Sequence, residues 1–177
     1  MKTKMPKLPL HWDYHFEQEI VARGLFAGLA SLNATSCHRF TGVYRFHGDW
    51  VKSVLLFDRK NPDLRVGENV PWRDSYCRLT AQAGDRCEIR DSLTDTRLER
   101  HSARLAVQSY CAVLLYTRAG TPLGTLCQFD MKPQATPELT FGYLNAARPA
   151  IERYLWTRAK SASRSERSLI LEHKRPA

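Results

Sequence analysis

The strongest hydrophobic pattern in the chain is a hairpin between Val107 and Met131. Two runs rich in Val, Leu, Tyr, Thr and Phe flank a breaker segment, 118–122, in which Gly120 permits a positive φ angle and Pro122 opposes a continuous helix. Alternate side chains of a strand point to opposite faces of a sheet, and in the first run both sets are apolar towards the centre. This pattern predicts a central antiparallel pair of strands with other elements packed on both faces.

Apolar residues at helical spacing flank this region on both sides. Near the N-terminus, Asp13 is a candidate N-cap for one helix that continues to about residue 36. Gly24 and Gly28 each lower its helix propensity by about 1 kcal/mol relative to Ala, and together they leave a smooth strip for close packing. Near the C-terminus, the Thr-Pro-Glu sequence at 136–138 is typical of a helix start, and Pro149 predicts a kink or a break in that helix.

The segments between these elements predict a series of shorter ones. In chain order they are a hairpin over 38–58 that turns at Gly48, a loop over 59–72, a short helix from Asp74 or Ser75 to about Ala83, a strand over 86–92, and a turn with a basic helix over 94–106. The expected fold class is α+β, with an antiparallel sheet of five or six strands. We expect the two terminal helices on one face of this sheet, and the loops and short helices of 59–106 on the other.

Three segments resemble parts of GAF sensor domains, in the same order and at comparable spacing. The last hairpin of that family has a Tyr-x-Gly-Val-Pro-Leu strand before Gly-x-x-x-Gly-Thr-Leu-Cys, and this chain has Tyr-Cys-Ala-Val at 110–113, Gly120, Leu-Gly-Thr-Leu-Cys at 123–127 and Asp130. The stretch 70–77 resembles the family's helix opening, and the stretch 87–92 resembles its next short strand. The resemblance covers roughly residues 14–158. It departs from the family at Ala112, where Gly is common, and at Leu114, where Pro is common.

The resemblance implies a stand-alone, bacterial-type GAF sensor domain that detects a small molecule or another signal. Because this chain carries no recognisable output domain, such a domain would be regulatory and act through a partner protein. The resemblance names no ligand. The Asn-Lys-x-x-Phe-x-x-x-Asp-Glu signature of cyclic-nucleotide-binding members is missing, and so is the Asp-Ile-Pro stretch of bilin-binding phytochromes. The ligand or cofactor is therefore unknown at this point.

The candidate ligand site lies between the sheet and the segment 59–106, because loops that cross a rigid scaffold often carry binding groups. Sites for small ligands are mostly apolar, with few convergent polar groups. On that basis the candidate wall, cap and polar contacts are Phe57, Trp72, Ser75, Tyr76, Cys77, Asp91, Tyr110 and Thr125. Strand parity leaves open whether several of them lie on the helix-covered face instead.

Length and composition indicate one globular domain, since the chain has 177 residues of which 43% are hydrophobic. We divide it into an N-terminal arm, 1–12, a single GAF-like domain, 13–160, and a basic C-terminal tail, 161–177. The five cysteines are an odd number without Cys-x-x-Cys spacing, and the N-terminus lacks the apolar core of a signal peptide. No apolar stretch approaches the roughly 20 residues that a membrane span needs. We therefore expect a soluble, cytoplasmic protein with reduced thiols.

The formal net charge of +9 raises the alternative of a nucleic-acid-binding protein. The basic residues are distributed along the chain, with some crowding only at the ends, and aromatic residues do not alternate with them. Nucleic-acid binding is therefore an alternative to sensing rather than the preferred function. A purely protein-interacting module is a further alternative.

Patterns typical of catalytic sites are scarce. The six histidines stand in no recognisable arrangement with any cysteine, and neither zinc-type Cys/His spacing nor a phosphate-binding GxxxxGK[ST] motif occurs. We therefore expect neither catalysis nor a metal site. One branch of the GAF family reduces free methionine sulfoxide with cysteines, and a thiol enzyme of that kind is the less favoured alternative. Cys111 and Cys127 fit better as small buried hydrophobes.

A homodimer joined through the terminal helices is expected from a surplus of apolar surface. A helix that lies on a sheet needs one apolar stripe, about 100° wide. The apolar residues are Phe16, Ile20, Leu25, Phe26 and Leu29 in the first helix and Leu139, Phe141, Tyr143, Leu144, Ile151, Tyr154, Leu155 and Trp156 in the last. They spread over more than one face, and a four-helix bundle about a two-fold axis would bury the remainder. The alternative is that Leu169, Ile170 and Leu171 cover it within one chain.

Overall fold

The computed structural model describes the backbone of residues 7–172 and the side chains of residues 7–157. Over that range the chain forms four α-helices and six strands. The helices are α1 (Trp12–Arg23), α2 (Leu25–Ala34), α3 (Tyr76–Ala83) and α4 (Glu138–Glu172), and the strands are β1 (Phe40–His47), β2 (Trp50–Asp58), β3 (Val70–Pro71), β4 (Arg86–Ile89), β5 (Ser109–Tyr116) and β6 (Pro122–Asp130). Both predicted hairpins are confirmed, with Gly48 and Gly120 at positive φ in their turns.

The six strands form one antiparallel sheet in the order β3-β2-β1-β6-β5-β4. The predicted central hairpin is β5–β6, and its register places Val113 opposite Leu126. Leu126 is also paired with Val43 of β1, so β6 lies in the middle of the sheet. The predicted α+β class with an antiparallel sheet of five or six strands is confirmed, and the sheet has six.

Helices α1, α2 and α4 cover one face of the sheet. The odd-numbered residues Cys111, Val113 and Leu115 of β5 point to this face. They belong to one core with fully buried residues of the helices, among them Leu29 of α2 and Ile151 of α4. The prediction that the terminal helices lie together on one face is therefore confirmed.

The other face is covered by α3 and by segments without long helices. Tyr110 and Ala112 of β5 point to this side and share a second core with Tyr76 and Cys77 of α3. As predicted, α3 begins after an N-cap at Ser75, whose hydroxyl accepts the Cys77 N–H. It ends at Gly84, which has φ of 85°. These local signals alone define the ends of the helix.

The prediction of one N-terminal helix is wrong, because two helices meet at Gly24. Its φ of 85° ends α1, and its N–H donates to the Ile20 carbonyl at 2.9 Å. Beyond Gly24, α2 packs against α1. The close packing predicted for the glycines occurs at Gly28, where a Cβ atom would lie 2.7 Å from Ile20 Cγ1.

Two further helix predictions need correction. Helix α4 begins at Glu138 as predicted but continues without a break through Pro149. Pro149 lies on the exposed side of the helix, where solvent is accessible to the carbonyl that loses its N–H partner. In place of the predicted basic helix over 94–106, the chain forms two short 3₁₀ turns, 96–98 and 102–105. The side chains of Asp95 and His101 accept backbone N–H groups two residues ahead and so start each turn separately.

The predicted N-terminal arm and C-terminal tail lie partly outside the described residues. Residues 1–6 of the arm lie outside the described chain, and the side chains of the tail, including Leu169, Ile170 and Leu171, lie outside the described side chains. Leu8 lies beside Gly142 of α4. Within residues 7–172, none of the helices combines the length and the apolar character that crossing a membrane requires.

Candidate functional site

A cavity of about 570 Å³ lies on the face of the sheet opposite to α1, α2 and α4. Strands β1, β2 and β6 contribute one side of it, and α3 with the segments 64–70 and 103–107 contribute the other. Its lining residues are Phe40, Tyr44, Leu56, Leu64, Val66, Gly67, Glu68, Val70, Asp74, Ser75, Tyr76, Cys77, Ala103, Ala106, Val107, Tyr110, Cys127, Phe129 and Met131. The lining is mostly apolar, with a few polar groups, which is the usual character of a small-ligand site.

Four of the eight candidate residues lie together in this lining: Ser75, Tyr76, Cys77 and Tyr110. The first three come from the start of α3, where the Ser75 cap holds the helix in register. The hydroxyl of Tyr76 donates to the Val107 carbonyl at 3.1 Å, and its ring packs edge-on against Tyr110 with centroids 5.6 Å apart.

Thr125 lies behind the lining rather than in it. It is fully buried on β6, and its hydroxyl donates to the Cys77 sulfur at 3.1 Å. Trp72 packs edge-to-face against Phe46, with centroids 5.0 Å apart. Asp91 accepts the Leu93 N–H at 2.9 Å in the turn after β4. Neither Trp72 nor Asp91 lines the cavity.

Phe57 lies on the helix-covered face, where its ring contacts Phe26 edge-to-face at 5.6 Å. A bulge in β2 accounts for this position. Val43 pairs with Leu55 but Tyr44 pairs with Ser53, so β2 has one extra residue between the two pairs. An extra residue reverses the alternation of side chains along a strand. As a result Leu56, and not Phe57, lines the cavity.

Sequence reasoning also missed the aromatic contribution of the neighbouring strands. Phe40 and Tyr44 of β1 and Phe129 of β6 line the cavity, and the rings of Phe40 and Phe129 stack at 4.8 Å across the two strands. The large aromatic residues of the 38–58 hairpin were the available signal, but sheet packing explains them equally well without a cavity.

Two thiols lie side by side in the cavity wall, Cys77 of α3 and Cys127 of β6. Both are buried. The Cys77 sulfur accepts hydrogen bonds from Thr125 Oγ1 at 3.1 Å and from the Tyr110 hydroxyl at 3.5 Å. The Tyr110 hydroxyl also lies 3.2 Å from Thr80 Oγ1.

This environment shifts the pKa values of the two thiols in opposite directions. Hydrogen bonds to the Cys77 sulfur, first from Cys127 and then from Ser75, Thr125 and Tyr110, lower the pKa of Cys77 to about 6 although burial opposes ionisation. Burial raises the pKa of Cys127. Hydrogen bonds to a charged group favour its charged form, and a helix start favours a thiolate. Cys77 is thus the thiol of the pair whose ionisation is favoured.

The three other cysteines have raised pKa values, in each case chiefly because of burial: Cys37, Cys87 and Cys111. Cys37 is the exposed cysteine, and its sulfur lies 3.8 Å from His38 Nδ1. Burial also lowers the pKa of His38 to about 4, so the imidazole is neutral near pH 7. A neutral imidazole provides no positive charge to stabilise a Cys37 thiolate.

The charges in the cavity lining are all negative. Glu68 and Asp74 are its charged residues, and the lining contains no Lys or Arg, although the chain has 27 of them. Asp74 accepts a hydrogen bond from the Ser102 hydroxyl at 2.8 Å. Burial raises the pKa of Tyr76 to about 12 and that of Tyr44 still further, so both phenols are neutral. Among the described residues, no group of three or more His, Cys, Asp or Glu side chains is placed to hold a metal ion.

The chain is similar in fold to several proteins of known structure. No protein-family model and no curated protein sequence matches the chain. Among solved structures, the GAF domain of Acinetobacter phosphoenolpyruvate-protein phosphotransferase matches with a TM-score of 0.70 at 13% identity, over 90% of this chain and 99% of that one. The phycocyanobilin-bound GAF domain of a cyanobacterial phytochrome matches with a TM-score of 0.63 at 16% identity, over 85% and 95%.

A third match is to an enzyme. The free methionine-R-sulfoxide reductase of Neisseria meningitidis, solved with its substrate, has a TM-score of 0.64 at 14% identity, over 89% of this chain and 97% of that one. At these identities the likeness extends to the fold and not to the ligand or the reaction. The order of the six strands, the helices on one face and the matches to GAF structures agree: the chain has the fold of a GAF domain.

Proposed function

We propose that this chain is a sensory domain that binds an apolar small molecule in the cavity between the sheet and α3. The observation that carries the proposal is the cavity itself, which has a volume of about 570 Å³ and a mostly aromatic and aliphatic lining. A volume of this order suits a drug-sized molecule. The structural neighbours that are sensory GAF domains support the same general role.

The lining also supports a class of ligand. Rings from Phe40, Tyr44, Tyr76, Tyr110 and Phe129 favour an aromatic or aliphatic body. The charged groups of the lining are two carboxylates, which attract cations. The faces of its aromatic rings attract cations as well. An anion entering the cavity would meet no Lys or Arg to compensate the loss of its hydration. A neutral or cationic apolar compound is therefore the proposed ligand, and an anionic one is disfavoured.

The test of the ligand proposal uses three compounds of one shape and different charge: 2-naphthylmethylamine, 2-naphthalenemethanol and 2-naphthoate. Each is titrated into the full chain by calorimetry and by thermal shift. We expect the amine and the alcohol to bind and to raise the melting temperature, and the carboxylate to bind at least tenfold more weakly. Tightest binding of the carboxylate, or no binding of any of the three, would overturn the proposal.

A matched pair of variants locates the binding. Ala106 is exposed and lines the cavity, whereas Ala119 is exposed in the β5–β6 turn and is not part of the lining. Ala106→Trp should occlude the cavity and abolish the thermal shift, and Ala119→Trp should leave it unchanged. Equal binding to both variants would place the compounds elsewhere.

In this proposal the domain regulates rather than catalyses, in a cytoplasmic setting. All five cysteines are unpaired, as in a reducing compartment. Among the described side chains, the Cys77 sulfur has Thr125, Tyr110, Ser75 and Cys127 as hydrogen-bonding partners and no histidine. Efficient reduction of methionine sulfoxide would require a general acid that protonates the departing sulfoxide oxygen. The nucleic-acid alternative predicts binding of labelled DNA with an affinity that falls steeply as the salt concentration rises. We expect no binding of labelled DNA even at low salt.

The signal would leave the domain through its helices. Most of the apolar surface of α4 that suggested a dimer is used inside the chain, since Phe141, Leu144 and Ile151 are in the helix-side core. Large apolar side chains remain exposed in the N-terminal region: Leu10, Tyr14 and Val21, which are 83%, 58% and 76% exposed. Tyr14 and Val21, seven residues apart, form an apolar stripe on one side of α1, and Leu10 precedes the helix. We propose a homodimer through this stripe.

Sedimentation at micromolar concentration tests the dimer. We expect a dimer for the parent chain and a monomer for Val21→Glu, because a charge buried at the interface is costly. Leu105→Glu, at a site that is 78% exposed and lies on the other face of the sheet, is the matched control and should stay dimeric. A monomeric parent chain would overturn this part of the proposal without affecting ligand binding.

A further inference from the structure

Two cysteines of the cavity lining come from elements that are far apart in the sequence. Cys77 is the second residue of α3, and Cys127 lies on β6, with Thr125 two residues before it on the same face. The Cys77 sulfur accepts a hydrogen bond from the Thr125 hydroxyl at 3.1 Å, and Cys127 is the neighbour that most strongly favours ionisation of Cys77. Cys77 is therefore held against β6 at the position where the two cysteines face the cavity.

Burial would normally make such thiols inert, but this pair differs in two respects. Both cysteines line the cavity, so a small solute that enters it lies next to these two residues. In addition, hydroxyl groups of Thr125 and Tyr110 point at the Cys77 sulfur and favour its thiolate, which is the nucleophilic form. A low-pKa thiol with a second cysteine beside it is the typical arrangement of a redox-sensitive site.

We propose that Cys77 and Cys127 form a redox-active dithiol, which a hydroperoxide entering the cavity converts into an intramolecular disulfide. In the first step the Cys77 thiolate attacks one peroxide oxygen and the O–O bond breaks. Cys77 becomes a sulfenic acid, and the other oxygen leaves as an alkoxide or hydroxide that takes up a proton from water, which replaces the proton that Cys77 released when it ionised. In the second step the Cys127 sulfur attacks the sulfenic sulfur, the S–O bond breaks, and the oxygen leaves as water with the Cys127 proton. Two electrons pass from the thiols to the peroxide.

The disulfide would change the shape of the cavity. An S–S bond is about 2.05 Å long, much shorter than a contact between two thiols, so the start of α3 must move towards β6. Ser75 and Tyr76 move with it, and both are part of the cavity wall. The dithiol thus connects the redox state to the wall of the proposed ligand site. The reaction itself uses the cavity only as an entrance and does not depend on the proposed ligand.

The experiment treats the reduced full chain with stoichiometric hydrogen peroxide or cumene hydroperoxide, quenches free thiols with N-ethylmaleimide, and maps the peptides by mass spectrometry. We expect a 77–127 disulfide with the loss of two hydrogens, reversed by dithiothreitol. Cys127→Ser should stop the reaction at a Cys77 sulfenic acid that dimedone captures, and Cys77→Ser should give neither product. Cys37→Ser, which removes the exposed cysteine, is the matched control and should react like the parent chain.

Two other outcomes would overturn the proposal. One is oxidation of Cys37 while Cys77 and Cys127 remain reduced, which would mean that the cavity does not admit the peroxide. The other is a disulfide from Cys77 to Cys87, the buried cysteine of β4, which would assign the wrong partner. Near-ultraviolet circular dichroism of each variant before oxidation verifies its folding.

A variant that retains both cysteines separates the hydrogen bonds from the thiols. Thr125→Val preserves the shape of the side chain and removes the donor to the Cys77 sulfur. At pH 7 it should slow the formation of the disulfide by about two- to tenfold, because the loss of a hydrogen bond to a charged group lowers the thiolate fraction. The difference should disappear above pH 9, where the thiolate forms without help. An unchanged rate at pH 7 would contradict the role of Thr125, and a slow rate at every pH would indicate blocked access instead.

Discussion

The two faces of the sheet are covered by different kinds of structure, and the cavity of the candidate site lies on one of them. On one face, α2 and α4 pack against the strands and α1 packs against these two helices, and side chains such as Leu29, Leu144 and Ile151 are fully buried. On the other face, α3 has eight residues and its neighbours are loops and 3₁₀ turns. Long helices have enough side chains at regular spacing to fill a core. Short, irregular segments do not, and a space of about 570 Å³ results.

Two buried ionisable groups, His38 and Cys77, also differ in the form that their surroundings favour. His38 follows α2, is fully buried, and its Nε2 atom has no hydrogen-bonding partner among the described residues, so burial keeps it neutral. Cys77, on the cavity side, has several hydrogen-bond donors at its sulfur, which favour the charged form. Burial alone therefore does not determine the charge of a group. The hydrogen bonds that replace its water decide it.

The largest expected effect tests the difference in packing. Leu144→Ala, in the filled helix-side core, should lower the free energy of unfolding by about 3–5 kcal/mol, because the transfer energy of the side chain is lost and a new void appears. Leu56→Ala, also buried but beside the existing cavity, should cost about 2 kcal/mol, since little new void is created. Urea denaturation of both variants measures the values. Equal losses would show that the two faces are packed alike.

The second effect is the acid sensitivity caused by His38. Its pKa is about 4 in the folded chain, against a usual value of 6.5, so between these pH values the unfolded chain binds a proton that the folded chain does not. The free energy of unfolding should fall by about 3 kcal/mol from this group as the pH drops from 6.5 to 4. His38→Gln has no such proton and should show a correspondingly smaller fall. The same pH dependence in parent and variant, measured by urea denaturation, would contradict this account.

A smaller effect concerns the hydroxyl groups at Cys77. Tyr110→Phe removes the donor to the Cys77 sulfur and should cost about 1 kcal/mol of stability. It should also raise the pKa of Cys77, so that alkylation of this cysteine, which otherwise levels off above about pH 7, increases up to a higher pH. Tyr116→Phe is the control, because its hydroxyl donates to the Gly84 carbonyl at 3.0 Å. If both variants shift the alkylation profile alike, Tyr110 has no specific role.

The smallest effect on stability is expected at the loop that borders the cavity. A Cβ atom at Gly67 would lie 2.8 Å from the Tyr44 hydroxyl oxygen and 3.0 Å from Leu56 Cδ2. Both are side-chain atoms, so Gly67→Ala should cost less than about 1 kcal/mol while it displaces the loop. Binding of 2-naphthalenemethanol should weaken severalfold. Asp63→Ala, exposed in the same loop, should bind normally, and equal affinities would show that Gly67 does not shape the cavity.

Local signals were sufficient for much of the fold. The alternating hairpins, the Ser75 cap and the Thr-Pro-Glu start of α4 depend on neighbouring residues, so their positions could be predicted. The failures occurred where two elements interact. The chain turns at Gly24, where α2 begins to pack against α1, and the segment 94–106 forms two 3₁₀ turns that start at Asp95 and His101 and are joined by Arg104, which donates to three carbonyls.

The residues of the candidate site also divide into those that local sequence signals placed and those that only the tertiary structure placed. By itself, the sequence determined the fold class, the two faces of the central hairpin and the placing of Ser75, Tyr76 and Cys77 at the start of a helix near the sheet, because these follow from alternation and capping. Only the tertiary structure decided that Phe57 lies on the helix side and Leu56 on the cavity side, since a one-residue bulge leaves no mark in the hydrophobic pattern. The tertiary structure also placed Cys77 beside Cys127 and Thr125. Contacts between distant segments arise from the packing of whole elements, and no local pattern contains them.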